Sequence, residues 1–321
     1  MSILEPLASG LFLLAAIFAL ALVARHRGVL QTGQAGTLAR IVTDICLPGM
    51  IFASLAEIAI DADRLIPALL MLGADVLIFA MAFGLGSSIR SIRPMLGPVL
   101  FCATFGSSTF LGYPIIAEVF PGSASAMGEA VLVSELGIGL PLLLFGPILA
   151  RHFGSDEIDG PSLLDALRQF LTSPIAIALF TGLSWSLLEL PVTKDSITYP
   201  LLHLGHLLGG AVTPLAIMTV ALFYAPAASD RSYRSLLPAL LLVIFLKLCA
   251  KPALCGGGAL LLDLPDQWRA VLVLLAGMPP AIFGVVLLGR YGGNARVASR
   301  LLVMATAISI GTLLFYSWLF G

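Results

Sequence analysis

Long, uninterrupted apolar segments separated by short polar connections make up most of the chain. Each is close to the roughly 20 residues that an α-helix needs to cross a bilayer. A membrane β-barrel would instead alternate apolar and polar positions over segments of about ten residues. The pattern therefore predicts an all-α polytopic membrane protein with ten transmembrane helices. The predicted spans lie at about 5–24, 41–57, 65–86, 97–119, 126–150, 174–190, 200–224, 235–262, 268–289 and 298–320.

The composition excludes several classes of protein. Only 11% of the 321 residues are charged, 59% are hydrophobic, and the mean hydropathy is +1.04. A soluble domain carries about 25% charged residues, so an ordinary water-soluble protein is excluded. The formal net charge of −1 provides no basic surface for nucleic acid. The sequence has no HExxH, Walker or GxGxxG motif and no paired Cys and His spacing, so no enzyme activity, metal site or cofactor is predicted.

Positively charged residues are concentrated in alternate connections. Of the 17 Lys and Arg residues, 12 lie in the connections after odd-numbered spans, 3 lie in the other connections, and 2 lie inside a span. Because positive charge accumulates on the cytoplasmic side of the cytoplasmic membrane, both termini are predicted to lie outside. No Lys or Arg precedes the first apolar segment, so residues 5–24 are predicted to be an uncleaved span rather than a signal peptide.

The longest connection, residues 151–173, separates two predicted units of five spans, 1–150 and 174–321. An odd number of spans makes a repeat inverted across the membrane. Three pairs of similar strings occur in the same order in the two units: Leu47–Ile51 with Thr213–Ile217, Pro67–Leu70 with Pro238–Leu241, and Gly112–Ile115 with Met278–Ile282. Within the connection, apolar residues recur at helical spacing over 161–172, which predicts an interfacial amphipathic helix that tethers the two units.

Glycine and proline residues interrupt the fourth and ninth spans near their centres, in Gly106–Pro114 and Gly277–Pro280. An interrupted helix presents a new amino end with unpaired N–H groups and about half a positive charge. Two such ends that cross at mid-membrane favour an anion, although two simple proline kinks also fit the sequence. The predicted substrate-binding residues are Ser107, Ser108, Thr109, Gly112, Tyr113, Pro114, Met278, Pro279 and Pro280.

Four ionisable residues near the middle of spans are candidates for charge and coupling roles: Asp75, Glu135, Lys247 and Lys251. Each such residue costs about 2.5–3.5 kcal/mol at the centre of a membrane helix, which makes a functional role the first hypothesis. In that interpretation, Asp75 or Glu135 titrates during transport while a lysine attracts the substrate. A permanent structural ion pair is the alternative, and the sequence leaves open which acid pairs with which lysine.

These strings resemble the auxin efflux carrier family, of the bile acid/auxin carrier superfamily. Leu47–Phe52 is similar to the second span of that family, Phe110–Ile115 to its fourth-span motif, and Met278–Pro280 followed by Tyr291 to its ninth and tenth spans. The likeness covers nearly the whole chain. One departure concerns the polar residue before the fourth-span motif, where the family commonly has Asn and this chain has Ser107 or Ser108.

The resemblance implies two inverted five-helix repeats, with broken helices 4 and 9 crossing at the substrate site. It further implies a scaffold of helices 1, 2, 6 and 7, often dimeric, and elevator-like or rocking alternating access without an ATP domain. The expected function is secondary transport of a small organic anion, such as a malonate-, malate- or auxin-like carboxylate. Membrane lipid, H⁺ or Na⁺, and a second copy of the chain are the expected partners. The alternatives are a sodium- or proton-coupled symporter or antiporter of the same fold, and a membrane sensor or scaffold that does not transport.

Overall fold

The computed structural model describes residues 4–59, 61–154, 163–193, 196–223, 233–291 and 293–320. Throughout these ranges the regular structure is helical, and none of it forms a β-strand. The prediction of an all-α protein is therefore confirmed. When helices that continue through a π-helical turn are counted as one, seven helical segments of the described residues are long and apolar enough to cross a membrane. The chain is thus a multi-pass membrane protein.

Eight helices form the first half of the chain. They are α1 (Leu4–His26), α2 (Ala35–Ile41), α3 (Leu47–Ala56), α4 (Ile66–Ser88), α5 (Leu96–Thr104), α6 (Tyr113–Val119), α7 (Ala124–Ser134) and α8 (Leu140–His152). Two of the predicted spans are each built from a pair of these helices that continue one another through a wider π-helical turn. Val42–Cys46 joins α2 to α3, and Glu135–Gly139 joins α7 to α8.

The second half contains a short connecting helix and seven further helices. They are α9 (Leu163–Leu171), α10 (Pro174–Leu187), α11 (Tyr199–Phe223), α12 (Tyr233–Val243), α13 (Lys251–Leu261), α14 (Asp266–Ala276), α15 (Ile282–Arg290) and α16 (Ala295–Phe320). The π-helical segment Ile244–Ala250 joins α12 to α13 into one continuous span.

Three other predicted spans are shorter or interrupted. The sixth corresponds to α10, which is apolar but has only 14 residues. The fourth is divided into α5 and α6, and the ninth into α14 and α15. A count of ten membrane crossings, arranged as two inverted repeats, stays a prediction.

π-helical turns occur at four places in the described ranges, and each carries a polar residue of interest. The turns hold Asp44, Ser108, Glu135 and Lys247. A π-helical turn leaves backbone carbonyls poorly matched to the regular ladder and is frequent at functional sites. The π-helical turns and the buried charged residues therefore indicate the same region of the protein as a candidate functional site.

The amphipathic helix predicted in the central connection is present as α9. Its residues 161 and 162 lie outside the described part of the chain, so the helix begins at Leu163. Phe170 is buried, and α9 packs against α8. Leu164 and Leu171 are exposed to the surroundings. Exposed apolar side chains on α9 are compatible with the predicted position of this helix in the membrane interface.

Close contact between α3 and α11 depends on small residues. A methyl group added to Gly205 would lie 2.6 Å from the carbonyl oxygen of Gly49 and 2.8 Å from Cβ of Ala53. Backbone atoms cannot rotate away as a flexible side chain can. The two helices would therefore have to separate before any side chain could fit at this position.

Gly205→Ala is accordingly expected to lower the free energy of unfolding by about 1–3 kcal/mol, the usual cost of overpacking a tight contact. Gly210→Ala, on the same helix, is the matched control because nothing lies within 4 Å of the added methyl group. The midpoint of thermal unfolding in detergent measures both variants. Equal stability of the two variants would contradict the close contact of α3 with α11.

Candidate functional site

The two interrupted spans meet where their helices break. After α5 ends at Thr104, the chain runs antiparallel to the segment that follows α14, and Gly106 pairs with Pro280. The backbone N–H of Ser107 donates to the carbonyl oxygen of Pro279 at 2.8 Å, and that of Ala281 donates to the carbonyl oxygen of Phe105 at 2.9 Å. Each break thus supplies the hydrogen-bond partners that the other lacks.

The residue types at the breaks explain why the helices stop there. Pro279 and Pro280 have no N–H to continue the helical ladder of α14. Gly106 faces the buried ammonium group of Lys247, and a methyl group at Gly106 would lie 2.8 Å from its Nζ. A side chain at this position would therefore displace the ammonium group of Lys247 from the carboxyl end of α14. The crossing is encoded by prolines on one side and a glycine on the other.

Two buried lysines stabilise the carboxyl ends of the broken helices. Nζ of Lys251 donates to the carbonyl oxygen of Thr104, the last residue of α5, at 2.9 Å. Nζ of Lys247 donates to the carbonyl oxygen of Ala276, the last residue of α14, at 3.1 Å. Because a helix carboxyl end carries partial negative charge, a cation there is favourable.

Asp75 of α4 completes this group by forming an ion pair with Lys251. All three side chains, those of Asp75, Lys247 and Lys251, are buried. The question of which acid pairs with which lysine is therefore answered for Asp75. A buried ion pair that also binds a helix end is the geometry expected of the structural alternative named above.

The amino ends of the second half-helices face a different region, a cavity of about 230 Å³ that we term the crossing cavity. The helical segment after the first break begins at Ser108, and α15 begins at Ile282. The lining comprises Thr43, Asp44, residues 106–110, Glu135, Ile138, Gly139, Leu142, Leu143, and residues 173–175 and 281–283. Both positive helix ends therefore open onto one small cavity.

Hydroxyl groups add to the polar character of the crossing cavity. Oγ of Ser107 is buried and has no hydrogen-bond partner among the described residues. Oγ of Ser108 accepts a hydrogen bond from Oγ of Ser134 at 2.6 Å, so its own proton is available to a ligand. A buried polar group without a partner costs about 1–3 kcal/mol, and a bound ligand relieves that cost.

A second cavity of about 300 Å³, the opposite cavity, is lined by Tyr113, Glu57, His206 and the connection between α6 and α7. Thr43 lies in the π-helical turn inside the α2–α3 span and lines the crossing cavity. Glu57 follows the end of α3 and lines the opposite cavity, about 20 Å further along the span at 1.5 Å per residue. Tyr113 donates its O–H to Oε1 of Glu135 at 2.5 Å. This hydrogen bond joins one residue of each cavity lining.

The two histidines of the seventh predicted span make local contacts. Nε2 of His206 lies 2.6 Å from Oε1 of Glu57, which links α11 to the end of α3. The ring of His203 stacks on Tyr199 at 5.8 Å between centroids. In the part of the chain that the structure describes, no group of three or more His, Cys, Asp or Glu side chains is arranged to hold a metal ion.

The predicted site residues separate into four groups. Ser107, Ser108, Thr109 and Glu135 line the crossing cavity. Tyr113 lines the opposite cavity, while Gly112, Pro114, Met278, Pro279 and Pro280 belong to the framework of the crossing and are absent from the lining of both cavities in the described residues. Lys247 and Lys251 bind the carboxyl ends of α14 and α5, and Asp75 pairs with Lys251.

Sequence reasoning missed part of the lining. Ile282 and Phe283 begin α15 after Pro280 and one intervening residue, so the prolines that interrupt the ninth span also marked where the second half-helix starts. Thr43 and Asp44 belong to a π-helical turn, for which the apolar pattern contains no signal.

Known proteins support a transport role. Residues 162–317 match the family described as membrane transport protein. The chain is 27% identical to an uncharacterized transporter of Methanothermobacter thermautotrophicus, over 90% of either chain. It is 23% identical to an uncharacterized transporter of Methanocaldococcus jannaschii, over 91% of this chain and 92% of that relative. These matches confirm the resemblance to the auxin efflux carrier family, a family of membrane transporters, rather than to any enzyme.

Proposed function

We propose that the protein is a secondary carrier that moves a small organic anion across the cytoplasmic membrane. The observation that carries this proposal is the separation of charge at the crossing. Lysines occupy the negative carboxyl ends of α5 and α14, whereas the positive amino ends at Ser108 and Ile282 open onto the crossing cavity. We assign the carboxylate of the substrate to this cavity.

Helix ends supply most of the attraction in this proposal. Each amino end is equivalent to about half a positive charge, so two ends together match one carboxylate. Ser107 contributes a buried hydroxyl that has no partner in the described structure, and Ser108 contributes a second one. Leu142, Leu143 and Phe283 give the cavity apolar walls suited to the carbon skeleton of an organic acid.

The two cavities support alternating access. Residues 173–175 line the crossing cavity and lie at the end of a span that the charge distribution assigns to the cytoplasm. The opposite cavity lies toward the other surface. We therefore propose that this conformation opens to the cytoplasm, with both termini outside. The proposal includes ten spans as two inverted repeats, an elevator-like movement of the crossing against a scaffold of helices 1, 2, 6 and 7, and a homodimer.

Counterflow in proteoliposomes tests this function. Vesicles loaded with unlabelled malonate, malate or indole acetate are diluted into the radiolabelled compound, and the purified protein is expected to accelerate uptake of label for at least one of them. A carrier exchanges internal for external molecules, whereas a sensor or scaffold only saturates. Vesicles without protein are the control. Saturable binding of a carboxylate without exchange would identify a sensor and contradict transport.

A further inference from the structure

The side chains that line the crossing cavity carry only negative charge in the described structure. Asp44 and Glu135 are the ionisable residues of the lining, and no Lys, Arg or His is among them. An anion that enters the cavity meets the positive helix ends but also these two carboxyl groups. Like charges brought together in a confined space strongly disfavour one another. Anion binding therefore requires at least one of the carboxyl groups to be neutral.

The surroundings of the two carboxyl groups differ. Asp44 is exposed and accepts a hydrogen bond from the Thr43 hydroxyl at 2.9 Å, so water can screen its charge. Glu135 is only 5% exposed, and Tyr113 donates to its Oε1. No cationic side chain of the described residues pairs with it. Burial of an unpaired carboxylate is costly, and a buried group of this kind avoids the cost by taking up a proton.

The other charged and titratable residues near Glu135 lie on the helices that pack against it. The elements packed against its π-helical turn are α4, α7 and α8, while α6 contributes Tyr113. Their ionisable residues are Asp75 on α4, Glu129 on α7, Arg151 and His152 in the last turn of α8, and Glu118 on α6. Asp75 is already paired with Lys251, and Lys247 binds the end of α14. Glu135 is thus the buried acid that shares a cavity with the proposed anion site.

We propose, resting on the proposed function, that Glu135 carries a proton that is transported together with the anion. When the crossing cavity is open to one side, a hydronium ion there gives its proton to the carboxylate: one O–H bond of the hydronium ion breaks, one forms on Glu135, and water is left. The neutral side chain then permits the anion to bind. After the change of access, the anion leaves, and Glu135 returns the proton to water on the other side. The stoichiometry is one proton for each anion.

Tyr113 has a positioning role in this scheme. Its hydroxyl holds Oε1 of Glu135, and its ring lines the opposite cavity. The hydrogen bond therefore lies at the partition between the two cavities. Held in this way, Glu135 exchanges protons with the crossing cavity and not with both sides at once, as coupled transport requires.

Accumulation driven by a pH gradient tests the proposal. Proteoliposomes with an alkaline interior, and with the membrane potential set to zero by potassium and valinomycin, receive whichever of radiolabelled malonate, malate or indole acetate shows the fastest counterflow. One proton per anion predicts about tenfold accumulation for each pH unit in the wild-type protein. Glu135→Gln keeps the size of the side chain and an oxygen for Tyr113 to bind. It is expected to reduce this accumulation to about onefold and to make the remaining counterflow independent of pH.

Glu129→Gln is the matched control because Glu129 is also a buried glutamate of the same span, but is absent from the described lining of both cavities. It should retain the tenfold accumulation. The proposal is overturned if Glu135→Gln still accumulates label with the pH gradient, if its counterflow keeps the pH dependence of wild type or is absent at every pH, or if a sodium gradient alone drives accumulation in the wild-type protein. Absence of counterflow in the wild-type protein would instead refute the proposed function, and this inference with it.

Discussion

Aspartate in place of Thr109 is expected to abolish carboxylate exchange by the reconstituted protein while leaving it folded. Thr109 is half-buried, lines the crossing cavity and lies in the first turn of the helical segment that begins at Ser108. A carboxylate in a first turn is favourable to the helix. In the cavity it occupies the place of the substrate and repels it by several kcal/mol, which lowers the exchange rate by at least about a hundredfold.

Thr109→Asn is the matched control because asparagine has the shape of aspartate without its charge. It should keep exchange within about tenfold of wild type, and the two variants should unfold at similar temperatures in detergent. The measurement is counterflow with the same radiolabelled carboxylates. If the aspartate variant exchanged as fast as the asparagine variant, the carboxylate would have to bind elsewhere.

Asp75→Asn is expected to lower the free energy of unfolding by more than the other single substitutions named in the text. It leaves the ammonium group of Lys251 buried without its counter-charge, beside Lys247. Breaking a buried ion pair by removing one partner costs about 3–5 kcal/mol. Since many proteins have a total stability of only about 5–15 kcal/mol, we expect a large fall in the temperature of unfolding in detergent.

Two further variants separate charge from shape in this experiment. Asp75→Asn combined with Lys251→Met removes both charges and should recover most of the lost stability. Asp266→Asn breaks the exposed pair with Arg269 and should change stability by less than about 1 kcal/mol. A loss of less than that amount for Asp75→Asn alone would show that the buried pair does not contribute as its geometry implies.

The sequence was sufficient to predict where helices begin and where two of them break. Apolar segments bounded by charges correspond closely to α1, α4 and α11, because membrane burial demands continuous apolar surface. Gly106 and the Pro279–Pro280 pair marked the breaks, since residues of these types release the helical backbone. Their direct hydrogen bonding had no signal of its own, because sequence separation contains no information about distance between helices.

The sequence did not indicate which groups the buried charged side chains bind. Spacing indicated that Lys247 and Lys251 share one face of a helix, but not that each binds the carboxyl end of a different half-helix. The same limit applied to Glu135, whose partner Tyr113 lies on a separate span. Helical periodicity specifies a face, whereas partners across helices depend on packing that one sequence does not reveal.

The two hydrogen bonds between the broken spans also constrain how the protein is made. The carbonyl of Phe105 and the N–H of Ser107 find their partners in Ala281 and Pro279, near the other end of the chain. The ribosome delivers the first of these segments to the bilayer long before the second exists. An unsatisfied backbone group in lipid costs several kcal/mol, so the nascent fourth span must remain shielded from hydrocarbon during synthesis. Maturation of the first half therefore waits for the second, and assembly finishes only when translation is nearly complete.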